Sequence, residues 1–296
     1  MARTPSLGAH VSSAGGIDKA VERAVDLGAE SFQIFGAAPQ MWRRKHHPDE
    51  DTESYREKFK QAKLKSSFIH AVYLINLASP DDELLRKSTD TLTAELDLAA
   101  RIGADGVIFH VGSHMGSGFD HALPRIAASM TEALDRTPDN ALLLLENNAG
   151  AGRSVGSTFA ELSAIMNAVD NPRVRICLDT CHAHAAGYNV ATIAGLKDTV
   201  DEFQREIGAE NLAAIHANDS KTELGSGKDR HENIGQGSIG IKAFRRMVRN
   251  RVLRKAAWLL EVPGYEGGGP GKADVDILKA LRDESDVPEV PQPADE

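Results

Sequence analysis

The sequence predicts an α/β fold: a single-domain (β/α)8 TIM barrel. Three observations point to it. Eight short apolar runs recur at intervals of roughly 25 to 45 residues, with helical patterns between them. One turn signal, an apolar residue followed by Gly-Ala-acid, closes a helical pattern just before an apolar run three times, at Leu27-Gly28-Ala29-Glu30, Ile102-Gly103-Ala104-Asp105 and Ile207-Gly208-Ala209-Glu210. The length of 296 residues suits eight such units. An open doubly wound sheet could accept the same elements, but it would not usually carry chemistry at nearly every strand end.

Taken in order, the runs cover residues 6–11, 31–35, 68–72, 106–111, 141–146, 174–178, 212–217 and 257–262. Each has the short, near-continuous apolar character of a strand buried on both faces. After the first, Ile17, Ala20, Val21, Ala24, Val25 and Leu27 fall on one helical face, and Gly28 follows as a left-handed C′ residue. Ser79-Pro80 reads as an N-cap with Pro at N1, opening a long helix through Leu92, Leu96 and Ala99 to Gly103. The Gly/Pro-rich segment 263–271 directly follows the eighth run, so it reads as a long βα loop rather than a domain boundary. The barrel domain is expected over residues 1–282. The acidic remainder, 283–296, has six acids and no base and is expected to be a disordered tail.

Composition excludes several classes. No apolar stretch approaches the roughly 20 residues a membrane helix needs, so no membrane partner is expected. The N-terminus lacks the layout of a secretory signal. Cys177 and Cys181 share one segment, so there is no disulfide framework; they read as buried small hydrophobes, and a cytoplasmic location is expected. A net charge of −9 argues by itself against a nucleic-acid partner. The acidic tail and any bound divalent cations weaken that argument, since cations add charge the formal count omits. The basic runs Arg43-Arg44-Lys45 and 242–255 read as solvated surface.

In such a barrel the C-terminal ends of the strands carry the active site. Those ends are His10, Phe35, His70, His110, Glu146, Asp179, His216 and Glu261. Two further pairs, Asp179-x-x-His182 and Asp229-x-His231, sit just beyond strand ends, and Asp-x-His can turn both side chains to one side of an extended segment. A ring of imidazoles and carboxylates facing one axis needs neutralising, because unpaired buried charge is expensive. Nitrogen and carboxylate donors without thiolate suit Zn2+, with Mn2+ possible at some positions. Nine candidates (His70, His110, Glu146, Asp179, His182, His216, Asp229, His231, Glu261) exceed what one ion uses. Multi-metal sites favour in-line displacement at phosphorus. His46, His47, His114, His121 and His184 lack comparable context and read as structural or surface residues.

Three segments carry a resemblance: His70-Ala-Val-Tyr-Leu-Ile-Asn76, Cys177-Leu-Asp-Thr-Cys-His-Ala-His-Ala-Ala-Gly187, and His216-Ala-Asn-Asp-Ser-Lys221 with Asp229-Arg-His-Glu-Asn-Ile-Gly-Gln-Gly237. With the opening Gly8-Ala-His-Val-Ser-Ser-Ala-Gly-Gly16, they closely resemble the endonuclease IV family of apurinic/apyrimidinic endonucleases. The resemblance covers the chain to about residue 282. It implies a DNA-repair enzyme with three zinc ions, and a monomer is expected. His70, His110 and Glu146 would hold the first, Asp179, His216 and Glu261 the second, with Glu146 bridging, and His182, Asp229 and His231 the third. Glu146 and Glu261 would be the catalytic carboxylates. The implied reaction is hydrolysis of the phosphodiester 5′ of an abasic site in duplex DNA, leaving a 3′-hydroxyl and a 5′-deoxyribose phosphate, with 3′-end cleaning as a second activity. Tyr73 would contact DNA near the lesion. Many members carry Asn-Pro-Arg-x-Trp after the second strand; here the segment is Ala38-Pro-Gln-Met-Trp42, so Gln40 replaces an Arg that enters the base stack. A sugar isomerase or epimerase of the xylose-isomerase-like group, or a catalytically dead lesion binder, is the alternative. The first would leave His182, Asp229 and His231 without purpose, and the second would be expected to lose a bridging carboxylate.

Overall fold

The computed structural model describes residues 4–42 and 46–288. The strands β1 (Leu7–His10), β2 (Ser31–Phe35), β3 (Ser66–His70), β4 (Gly106–His110), β5 (Leu142–Glu146), β6 (Val174–Asp179), β7 (Leu212–His216) and β10 (Ala257–Leu260) close into a parallel barrel in the order β1-β10-β7-β6-β5-β4-β3-β2. A short antiparallel pair, β8 (Asp219–Ser220) and β9 (His231–Glu232), stands after β7. The surrounding helices are α1 (Lys19–Asp26), α2 (Asp49–Ala62), α3 (Asp82–Ile102), α4 (Phe119–Asp135), α5 (Phe159–Val169), α6 (Thr180–Ala185), α7 (Ile193–Glu206), α8 (Ile241–Arg249) and α9 (Lys272–Asp283). The third strand lies two residues upstream of the expected run, which puts His70 at its end.

The period-two alternation of a strand sorts each run into two sets of side chains. Phe68, Ile108, Leu144, Cys177, Ala214 and Leu259 pack together as a plug inside the barrel. Their neighbours, such as Ile69, Val107, Phe109, Leu143, Leu145, Ile176 and Trp258, belong to the larger core under the helices. Two residues beyond each plug residue, on the same face, come His70, His110, Glu146, Asp179, His216 and Glu261. The donors are therefore the polar layer directly above a dry apolar layer.

All three turn glycines are left-handed, with φ +70° at Gly28, +70° at Gly103 and +89° at Gly208. The acid that follows has its own task in the first two copies. Asp105 Oδ2 accepts from the Ser67 amide at 2.9 Å, and Glu30 Oε2 accepts from Arg282 at 2.8 Å. The third copy differs, because a 3-10 turn over Ala209–Asn211 intervenes before β7. Two local expectations are corrected. Val25 is half exposed rather than on the buried face of α1. The N-cap of α3 is Asp81, whose carboxylate accepts from the Leu84 amide at 2.8 Å, while Ser79 only braces the Asp81 amide at 3.1 Å. A carboxylate at an N-cap also meets the positive end of the helix dipole, which a hydroxyl does not.

The last helix runs to Asp283, and Val287 packs against the core. Residues 289–296 of the expected tail, and the basic run Arg43-Arg44-Lys45, lie outside the described residues. Among the described residues no helix is long and apolar enough to cross a membrane. Cys177 and Cys181 are both free and buried.

Candidate metal centre

The strands deliver five of the nine candidate residues to one end of the barrel, and Glu261 follows one residue after β10. The other three lie beyond the barrel strands, His182 in α6, Asp229 in the loop between β8 and β9, and His231 at the start of β9. Asp179 caps α6, accepting from the His182 amide at 2.7 Å, so the cap itself turns the His182 ring inward. The β8–β9 pair sets Ser220 opposite His231, which returns the loop carrying Asp229 and His231 over the site.

These residues form clusters whose donor atoms lie within 4.8 Å of one another: His70, His110 and Glu146; Glu146, Asp179, His216 and Glu261; and His182, Asp229 and His231. Glu146, fully buried, belongs to two of them. Its Oε2 lies 3.2 Å from His70 Nε2 and 3.7 Å from His110 Nε2, while its Oε1 lies 3.0 Å from His216 Nδ1 and 3.2 Å from His182 Nδ1. In the third cluster Asp229 divides its oxygens, 3.2 Å from His182 Nε2 and 3.1 Å from His231 Nε2. A fourth combination joins Asp179, Cys181 and His231, and burial pushes the Cys181 thiol up to about 12.

Backbone carbonyls orient several rings. His70 Nδ1 lies 2.7 Å from the Ala71 carbonyl and His182 Nδ1 2.9 Å from the Asn147 carbonyl. A carbonyl only accepts, so these nitrogens carry hydrogen and the opposite nitrogen faces the carboxylates, as second-sphere partners of metal ligands do. Electrostatics reinforces the arrangement. Burial works to raise the Glu146 carboxyl, but the His110 and His216 imidazoles outweigh it and hold the group well below its usual range. Burial would lower His182, and Asp179, Asp229 and Glu146 instead hold it well above the usual imidazole value. His231 is held at about 9 by Asp179 and Asp229 against burial. His110 and His10 behave oppositely, since burial prevails and lowers each to about 4.

The donor set fits divalent cations of the zinc type, all nitrogen and carboxylate oxygen. A second observation agrees. His231 Nε2 is buried yet has no hydrogen-bond partner of acceptable geometry among the described residues, despite Asp229 nearby. A buried polar atom aimed into a cluster of donors needs a partner.

Reasoning from sequence missed the supports. Asn147 exchanges two hydrogen bonds with the Asp179 backbone, at 2.7 and 3.1 Å. Asn218 donates to Asp179 Oδ2 at 2.7 Å and accepts from the Glu261 amide at 2.9 Å. Gln33, buried in β2, touches His10, His216 and Glu261. Asn147 and Asn218 each adjoin a donor in sequence or follow one closely; Gln33 is the lone amide in an apolar strand. Asp219 anchors the loop, its carboxylate accepting from the amides of Ser220 (2.8 Å), Gly235 (2.9 Å), Ile239 (3.0 Å) and Gly240 (3.1 Å). Asp219→Ala would leave the buried Ser220 and Ile239 N–H groups unpaired at about 1–3 kcal/mol each and would release the part-buried Gly235 and Gly240 amides. The expected result is a fall of at least about 6 °C in Tm, read by thermal denaturation, with loosened metal binding at the His182–Asp229–His231 cluster. An unchanged melt would refute the anchoring role.

A cleft of about 440 Å³ opens over the clusters, lined by His70, Tyr73, His110, His182, Asp229 and His231 among others. Tyr73 is half exposed on its rim, with its ring 5.4 Å from Phe35 and 5.5 Å from His70. Its amide donates to the Pro39 carbonyl at 2.9 Å, tying it to the loop where Gln40 and Met41 are exposed. Asn76 joins the loops after β3 and β4, accepting from the Ser113 amide at 3.0 Å; a side chain at Gly112, with φ +105°, would collide with it. The second basic run begins in the first turn of α8 and continues through the turn leading into the start of β10, so its later residues recede from the site. His47 meets the Gly36 carbonyl at 2.8 Å, His114 accepts from the Gly116 and Gly118 amides, and His184 meets Ser238, so these rings serve local structure.

The family described as xylose isomerase-like TIM barrel matches residues 21–283. A probable endonuclease 4 of Halothermothrix orenii is 39% identical over 93% of this chain and 99% of its own length. One from Aquifex aeolicus is 37% identical over 95% of this chain and 99% of its own. The crystal structure of endonuclease IV from Thermus thermophilus superposes with a TM-score of 0.84 at 33% identity, covering 95% of this chain and all of that one. The chain belongs to the endonuclease IV family. Sugar-converting barrels share the fold only: a D-tagatose 3-epimerase-like protein matches with a TM-score of 0.68 at 16% identity. In this endonuclease IV chain the third donor cluster is supplied by α6 and by the segment from the β8–β9 loop into β9 rather than by the barrel strands.

Proposed function

We propose that this endonuclease IV chain is a DNA-repair hydrolase that binds three zinc ions and cuts the phosphodiester 5′ of an abasic site in duplex DNA, leaving a 3′-hydroxyl and a 5′-deoxyribose phosphate, with 3′-end cleaning as a second activity. The observation carrying this reading is the set of three donor clusters, two of them sharing Glu146, on the floor of an open cleft. Bound there, divalent cations supply Lewis-acid polarisation of a phosphoryl oxygen and acidify water. His70 and His110 with one Glu146 oxygen would hold the first ion; His216, Asp179, Glu261 and the other Glu146 oxygen would hold the second; His182, Asp229 and His231 would hold the third. Glu146 and Glu261 would supply negative charge that offsets the charge of the first two ions. Tyr73 offers an aromatic face at the rim for a sugar or base exposed by the lesion. Gln40 and Met41, exposed on the tethered loop, can enter the stack as uncharged wedges. Mn2+ in place of zinc at some positions fits the same donors. The cation clusters explain how a chain of net charge −9 would take a polyanion as partner. A cytoplasmic monomer fits this reading.

The test is an end-labelled duplex with one tetrahydrofuran site, incubated with zinc-loaded protein and no added magnesium. Wild type is expected to nick on the 5′ side and leave an end a polymerase extends. An intact strand would overturn the proposal, and metal analysis giving about one ion per chain would favour a sugar isomerase.

A further inference from the structure

We infer that Gln33 is a positioning residue that sets the tautomer of His216 and the direction of Glu261, and so preorganises the second donor cluster for its cation. The inference rests on the metal-site reading above and extends it to a residue that ligates nothing. Gln33 interrupts the apolar strand Ser31–Phe35 and is fully buried. An amide in that position costs several kcal/mol unless every polar atom is satisfied. Here its Nε2 lies 2.7 Å from Glu261 Oε1 and 3.0 Å from His10 Nδ1, and its Oε1 lies 2.8 Å from His216 Nε2.

The donor rules leave one orientation. A carboxylate only accepts, so the amide nitrogen must face Glu261. The amide oxygen must then face His216, and because it too only accepts, His216 Nε2 must carry hydrogen. In the neutral ring the lone pair is therefore on Nδ1. That atom lies 3.0 Å from Glu146 Oε1 and 3.2 Å from Glu261 Oε2, at the point where the cluster converges. Turning the amide over would set its carbonyl against the Glu261 carboxylate and offer N–H to His216 Nε2, placing the ring hydrogen on the metal side. One oxygen of Glu261 thus fixes Gln33, Gln33 fixes the ring, and the other oxygen of Glu261 joins that ring at the cation position. His10, which receives the second amide hydrogen on Nδ1, completes the satisfaction of Gln33 from β1.

The test compares wild type with Gln33→Met, close in volume and able to fill the site without any hydrogen bond. Both are loaded with zinc and titrated with a chelator, and nitrogen NMR of 15N-histidine protein reads the tautomer of His216. Wild type is expected to hold the Nε2–H form. Gln33→Met is expected to stay folded by near-ultraviolet circular dichroism, to release one of its ions 10- to 100-fold more readily, and to lose the single-tautomer signature. Equal retention of all ions with an unchanged His216 spectrum would overturn the inference. A wild type that binds no zinc would sink the metal-site reading instead.

Discussion

Glu146→Gln is expected to abolish incision of abasic DNA while the barrel stays folded. The carboxylate is buried and faces four imidazoles, with His70, His110, His182 and His216 all within 3.7 Å of one oxygen or the other. A Gln side chain of the same shape removes the negative charge and turns one acceptor into an NH2 donor. That donor cannot face a cation, so the first and second clusters cannot both keep their ion. Metal-based stabilisation of a reacting phosphate is worth several kcal/mol, and 1.36 kcal/mol is tenfold in rate, so the expected loss is at least about 1,000-fold. Single-turnover cleavage of the tetrahydrofuran duplex measures it, and metal analysis should show fewer than three ions. A variant within tenfold of wild type would remove Glu146 from the mechanism. The shared position makes this substitution more damaging than one at Asp229, which serves only the third cluster.

Why some of this was legible in the sequence and some was not follows from the range of the interactions. The barrel was legible because a strand buried on both faces is mostly apolar along its length, and eight short runs of that character recur at regular intervals. The strand-end donors were legible because period two ties each to the plug residue before it: Phe68 to His70, Ile108 to His110, Leu144 to Glu146. The α3 cap was misplaced by two residues, since Ser79, Pro80 and Asp81 all look like helix starts and only the fold decides which carboxyl meets the Leu84 amide. Val25 was assigned to the buried face because an apolar residue at helical spacing carries no mark of how wide the covered stripe is. The third Gly-Ala-acid turn matches the others as text but inserts a 3-10 turn. Gln33 was not legible as a site residue, because its partners lie 183 and 228 residues away along the chain. The ligand side chains announce themselves by type, whereas the amides that aim them do not.

Removing the metals should cost stability and reverse its dependence on pH. At a free cation level about 1,000 times the Kd, one bound ion stabilises by about 4 kcal/mol. At about 2 °C per kcal/mol for a domain of this size, dialysis against a strong zinc chelator should lower the Tm by about 8 °C or more. In the metal-free chain, protons take the place of cations. Burial opposes charging these rings, yet the facing carboxylates hold His182 well above the usual imidazole value, raise His70 and bring His231 to about 9, while Cys177, with Glu261 and Glu146, holds His216 well above it. A group whose folded pKa is raised above its unfolded value contributes stability fully present below the unfolded pKa, and loses it as pH rises through the folded one. For His231 that window runs from about 6.5 to about 9. The chelated protein should therefore melt progressively lower across it. The zinc-loaded protein should behave in the opposite sense relative to it. A cation needs a neutral ring nitrogen, so binding must expel these protons, and affinity should rise with pH through the same window. His110, already lowered to about 4, contributes nothing to this release. Melting curves with zinc and with chelator at pH 6, 7.5 and 9 should separate further at each step, and calorimetric zinc titrations in buffers of different ionisation enthalpy should show protons leaving at pH 7. Parallel curves, or a heat independent of buffer, would mean that cations and protons do not compete for these imidazoles, and the three clusters would not be metal sites.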